Sequence, residues 1–285
     1  MNNLKEACKI YLYSNNKSGS NKASSYMRAL DLLNIILKGN HNIPVNITDI
    51  WNITSPELIY NLYQYALKYQ KSDGSDFLRS DLPESYGRNG YYSAALRSLG
   101  EFLVDVKYEN DLLPKFEQLE DGTEVAQAIE NANIPEESLL FEETYSHIEG
   151  KDAFKRIKTR MNQNVFRKLI LKIYNNQCCV TELDVPQLLV ASHIKPWAKD
   201  KINRLNPSNG LCLNSLHDKA FDAGLITLDE NLKIVVSKEL KEHYTKDAVQ
   251  KYFQPYDGRN ITKPKQFVPD VDLLKYHREQ IFIGV

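Results

Sequence analysis

Three polar residues between positions 177 and 225 carry the most specific chemical signal of the chain: His193, Asn209 and His217. An imidazole titrates near neutral pH, so a well-placed histidine takes a proton from water or holds a metal ion. Taken singly, each has an ordinary reading. His193 before Ile194 is a structural side chain, Asn209-Gly210 is a turn, and His217 is one more residue of a helix's first turn. Their order raises them above that. His193 ends an apolar run, Leu188-Leu189-Val190-Ala191, which reads as a short strand. Asn206-Pro207-Ser208 ahead of Asn209-Gly210 is dense turn chemistry, and Leu211-Cys212-Leu213 reads as a second strand. Asn214-Ser215 offers an N-cap to a helix with His217 in its first turn. Strand, long loop, strand and helix therefore bring two histidines and an asparagine toward one place.

The ordered set resembles the HNH nucleases, whose core is a ββα-metal finger. The matching stretches are Ala191-Ser192-His193-Ile194-Lys195-Pro196-Trp197, Asn209-Gly210-Leu211-Cys212-Leu213 and Leu216-His217-Asp218-Lys219-Ala220-Phe221-Asp222-Ala223-Gly224-Leu225. The likeness extends upstream to Gln163-Asn164-Val165-Phe166-Arg167 and Tyr174–Thr181, and downstream to Tyr276–Phe282. It covers a little under half of the chain and looks like the branch found in restriction-type endonucleases. The resemblance implies a phosphodiesterase whose divalent cation, magnesium or manganese, sits between the scissile phosphate and the finger. It implies that His193 is the general base and that Asn209 steadies the loop and the first histidine. His217 is the first metal-ligand candidate; Asp222 is either a second ligand or a structural cap of the helix, and Asp218 is a weaker option. Asp222 lies about 140° round from His217 on a helix of ~3.6 residues per turn, so the two share a metal only if the helix unwinds near Ala223-Gly224. One departure stands out: where many HNH proteins place an acid or a histidine before the catalytic histidine, this chain has Ser192, and a hydroxyl is a poor ligand.

Bulk properties agree with a polyanionic substrate. The net charge of −1 hides fourteen acidic against two basic residues in 101–150, and thirteen basic against five acidic in 151–220. The basic block coincides with the motif and suits phosphate contacts, with Arg160, Arg167, Lys195 and Arg204 the cations expected on the backbone of double-stranded DNA. The four cysteines form no CxxC pair, so no structural zinc is expected, and the thiols read as reduced and buried. No apolar run is long enough to span a membrane and no leader is apparent, which gives a cytoplasmic expectation.

The fold class expected is α+β: a mainly helical N-terminal region followed by a ββα-metal (HNH) nuclease domain. Residues 1–104 read as helices over Leu4–Tyr13, Ser25–Leu37, Pro56–Tyr69 and Tyr92–Val104. Tyr86–Ser93 could hold a phosphate or stack a base, although tyrosines anchored in a core explain it as well. Residues 105–150 read as an acidic connector; a second reading makes it a mimic of DNA that shields the basic site. Residues 151–285 form the nuclease domain, with Trp197 and Phe221 in its core, a hairpin over Leu225–Val236, a helix over Leu240–Tyr252 and a closing helix over Val271–Phe282. The function expected is a metal-dependent DNA endonuclease, of restriction or phage-defence type, acting as a homodimer. The alternative is a non-catalytic DNA-binding protein with a degenerate finger.

Overall fold

A computed structural model describes residues 3–16, 19–39, 43, 45, 47–141 and 150–284. The chain divides into two compact units, one of Met1–Asn110 with Ile134–Lys158 and the other of Asp111–Asn133 with Thr159–Val285. The structure is mixed, helical with small antiparallel sheets.

The first unit is helical. It holds α1 (Asn3–Asn15), α2 (Lys22–Gly39), α3 (Pro56–Tyr69), α4 (Glu84–Arg88) and most of α5 (Tyr91–Phe116). The start of α3 follows its sequence: the Ser55 hydroxyl accepts from the Leu58 amide and Pro56 fills the first position. Leu30, Leu33 and Ile36 of α2, Ile59 and Leu62 of α3, and Leu96 and Leu99 of α5 are buried at helical spacing and make the core. The Tyr86–Ser93 stretch is tied down. Arg88 bonds Glu84, Asp73 and the Lys71 carbonyl, and Tyr86 packs on Tyr91 and Tyr92. The core-anchored reading fits this arrangement.

Of the stretch 105–150, residues 105–110 and 134–141 group with the first unit and residues 111–133 with the second. Helix α5 runs past Val104 to Phe116, because Tyr108, Leu112 and Phe116 continue its apolar stripe at four-residue spacing. Residues 111–133, including α6 (Gly122–Asn131), pack within the second unit. Glu142, Glu143 and Glu149 of the acidic stretch lie outside the described residues.

The second unit is built on α7 (Gly150–Ile173), whose later turns carry the buried Phe166, Leu169 and Ile170. Strand β1 (Leu189–His193) pairs antiparallel with β2 (Gly210–Asn214), with His193 opposite Gly210 and Ala191 opposite Cys212. Helix α8 (Ser215–Asp222) follows directly. A second hairpin, β3 (Ile226–Leu228) and β4 (Ile234–Val236), fulfils the expectation over Leu225–Val236. The helix expected over Leu240–Tyr252 is two short pieces, α9 (Lys238–Lys241) and α10 (Asp247–Tyr252). Between them the amides of His243, Tyr244 and Lys246 bond three residues back, tightening the chain into turns. Helix α11 (Val271–Gln280) closes the unit.

Gly210 is more than a turn residue. A Cβ there would lie 2.3 Å from the Ile170 side chain, so its bare backbone lets β2 lie flat on α7. The turn itself is Pro207–Asn209, capped by the Asn206 side chain accepting from the Ser208 amide.

Candidate active site

His193 ends β1 with its ring stacked on Phe166 of α7, centroids 4.4 Å apart, and edge-on to Trp197 at 5.6 Å. Its Nε2 lies 2.9 Å from the Arg204 carbonyl oxygen. A carbonyl only accepts, so Nε2 carries the proton and Nδ1 keeps the lone pair. Burial lowers the pKa of the ring below its ordinary value, partly offset by the Arg204 carbonyl and by the negative charge of Asp222. A neutral imidazole with a fixed tautomer and a free Nδ1 is a proton acceptor ready at neutral pH.

The carbonyl that fixes His193 belongs to the 194–209 loop, and Asn209 holds that loop together. Its side chain is fully buried. Its Oδ1 accepts from the Lys195 amide at 2.8 Å, and its Nδ2 donates to the Lys195 and Asn203 carbonyls, both at 3.1 Å. One carboxamide thus joins both ends of the loop, a task that needs a donor and an acceptor on one short side chain. Asp200 knots the middle: it accepts from the Ile202 and Asn203 amides, from the Asn203 side chain and from Lys195.

His217 goes elsewhere. Asn214 caps α8 by accepting from the Leu216 and His217 amides, and the same Oδ1 lies 3.0 Å from His217 Nδ1. His217 Nε2 donates to the Tyr252 carbonyl at 2.9 Å, and the buried ring packs against Phe253 and Tyr256. Both ring nitrogens face protein oxygens, so a metal ion at His217 would first have to displace a partner. Helix α8 also stays wound through Asp222, since Ala223 still donates to the Lys219 carbonyl. Asp222 therefore shares a face with Asp218, four residues back, rather than with His217.

Asp218 and Ser192 are neighbours. The Ser192 side chain is buried beside the Asp218 carboxyl, and its hydroxyl lacks a full hydrogen bond. Burial raises the Asp218 pKa; the Ser192 hydroxyl opposes this and the nearby Asp222 charge adds to it. Two carboxylates on one helical face, with the buried Ser192 hydroxyl beside Asp218, are oxygen donors of the kind magnesium and manganese prefer. Among the described residues no group of three or more His, Cys, Asp or Glu side chains is arranged to hold a metal ion. The set still fits a hard cation that keeps several waters and takes one or two carboxylates.

The four expected DNA-binding cations differ in their surroundings. Arg160 lies half-buried on α7. Arg167 donates to the Leu189 carbonyl at 2.8 Å, pinning the start of β1, and burial lowers its pKa. Lys195 pairs with Asp200 at 3.0 Å and lies over the Tyr276 ring. Arg204 lies over Trp197 and pairs with Glu130 of α6 at 3.1 Å. Trp197 is half-buried and lies beside His193 instead of filling the core, in contact with the histidine ring and the Arg204 guanidinium. Phe221 is buried as expected, stacked 3.7 Å from His277. Arg278 donates to the Leu228 carbonyl. All four cysteines are buried thiols, and among the described residues no helix is long and apolar enough to cross a membrane.

No curated protein matches the chain. A model of the HNH endonuclease family does match, over residues 178–229, so the region that holds His193, Asn209 and α8 is similar to endonucleases, hydrolases of phosphodiester bonds.

Proposed function

We propose that this chain is a metal-dependent endonuclease of double-stranded DNA, serving restriction or phage defence. One observation carries the catalytic reading: His193 is held by Nε2–H on the Arg204 carbonyl, which leaves Nδ1 as a lone pair on a ring that feels the negative charge of Asp222. The restriction role rests on the likeness of the flanking stretches alone. Cutting both strands is most simply done by two copies, one per strand.

In this reading a water hydrogen-bonded to His193 Nδ1 gives its proton to the ring as its oxygen attacks phosphorus, and the bond from phosphorus to the 3′-oxygen breaks. The imidazolium that forms is favoured by the Asp222 charge, which pulls the pKa of the ring upward. Asp218 and Asp222 would hold the divalent cation, with the Ser192 hydroxyl turned toward it or toward its water. When bound, such a cation neutralises charge at the phosphoryl and leaving oxygens. Asn209 keeps the loop closed so that His193 does not rotate, and His217 is a positioning residue that sets the angle of α8. Incubating the chain with phage and plasmid DNA in magnesium, manganese or EDTA tests this: discrete fragments that vanish in EDTA are expected.

Ser192, where an acid is usual, favours a second reading as a DNA-binding protein without cleavage. That reading predicts a salt-sensitive gel shift and intact DNA in every metal.

A further inference from the structure

Arg204 has two jobs on different atoms. Its backbone carbonyl fixes His193, while its guanidinium lies 5.1 Å from the centroid of Trp197, the ring that abuts His193. The guanidinium is half used. Nη2 donates to Glu130, whereas the Nε–H is buried with no acceptor. An arginine binds phosphate or carboxylate best side-on, with two parallel N–H bonds to two oxygens. Glu130 satisfies one of them and leaves the other empty.

Glu130 is itself loosely held, with half of its side chain exposed. It stands in the last turn of α6, the acidic helix that packs on the same loop. The start of that helix is seated closely there: a Cβ at Gly122 would fall 2.1 Å from Asn206 Oδ1. A single, part-exposed ion pair contributes little, whereas a two-point bond to a phosphate, charge-assisted at both contacts, is about twice as strong as a neutral one.

We infer that Glu130 is a placeholder for substrate: it occupies one position of a phosphate-binding fork on Arg204, and a backbone phosphate of DNA displaces it. This rests on the nuclease reading above. The ligand is a phosphodiester of the DNA backbone next to the one being cut. The acidic helix then acts as a local competitor of DNA at the loop whose carbonyl fixes the base.

The test is a double-mutant cycle on DNA binding, read by fluorescence anisotropy of a labelled duplex with the full chain in EDTA, where no cutting intervenes. Glu130→Gln should tighten binding about two- to fivefold, the range expected for removing one exposed competing pair. Arg204→Gln should weaken it, and the double variant should bind like Arg204→Gln alone, because the gain exists only through the fork. Arg204→Lys keeps the charge and loses the fork, so it should also remove most of the gain; it serves as the control if the glutamine variant folds poorly. A gain that persists undiminished without Arg204 would overturn the proposal, since Glu130 would then repel DNA only as a general charge. Weaker binding by Glu130→Gln would overturn it too. Failure of wild type and every variant to bind DNA would instead remove the nuclease reading, and this proposal with it.

Discussion

Replacing Asn209 by aspartate changes almost no volume and reverses the polarity of one nitrogen. In the wild type the amide accepts one bond and donates two, to the Lys195 and Asn203 carbonyls, from a fully buried position. In Asn209→Asp the Lys195 amide keeps its acceptor, but an ionised oxygen then faces two carbonyl oxygens that each sat 3.1 Å from the nitrogen. Each unsatisfied buried group costs about 1–3 kcal/mol, and more beside a charge, which places the loss at about 3–5 kcal/mol at pH 7. A protonated carboxyl recovers one donor bond, so the folded state favours protonation and raises the pKa of the new acid above the ordinary ~3.9. The sign follows: the deficit is smallest below the unfolded value and grows as pH rises through the folded one. Guanidinium unfolding followed by Trp197 fluorescence in a Trp51→Phe background reads the loop directly, at pH 5 to 8. Cleavage should fall together with stability, because the loop that opens carries the carbonyl holding His193. A variant as stable as wild type at pH 7, or one that gains stability as pH rises, would refute the role given to Asn209.

Three further outcomes are expected. Burial lowers the pKa of His193, so kcat/KM for cleavage should lose activity as pH falls through a value below the ordinary 6.5, and a pH–rate profile with its acid limb above that would contradict the assignment. Asp218→Asn and Asp222→Asn should each weaken manganese binding, read by electron paramagnetic resonance, by at least about tenfold, whereas His217→Gln should leave it nearly unchanged and lower stability instead. His277 donates to the Phe221 carbonyl and accepts from the Thr227 hydroxyl, and burial pulls its pKa from 6.5 down to about 4. Its contribution is full above the unfolded value and is lost as pH falls through that window, at most about 3 kcal/mol; denaturant titrations of wild type and His277→Gln should diverge above pH 6.5 and converge toward pH 4.

Much of the site was legible in the sequence because its signals are local. The Asn214 N-cap, the strand ending at His193 and the short apolar runs of the two hairpins depend on neighbours within a few residues. What was not legible depends on distant partners. His217 Nε2 is bonded to the Tyr252 carbonyl, thirty-five residues on, and nothing near His217 announces it. Trp197 looks like core by composition and instead packs half-buried against Arg204 and His193. Gly210 looks like turn chemistry and is there for the approach of β2 to α7, through Ile170. The acidic stretch reads as a linker by charge alone, yet Leu112, Phe116, Val125 and Ile129 within it are buried on helices. Glu130 had no motif to mark it, and only its contact with Arg204 gives it meaning.

The most direct test of the account is a plasmid-nicking assay comparing wild type with His193→Ala, in manganese and in EDTA, after circular dichroism has shown that both are folded. The account predicts metal-dependent cutting by wild type and a loss of about a hundred- to ten-thousandfold on removing the base. Equal cutting by the two folded proteins would contradict it.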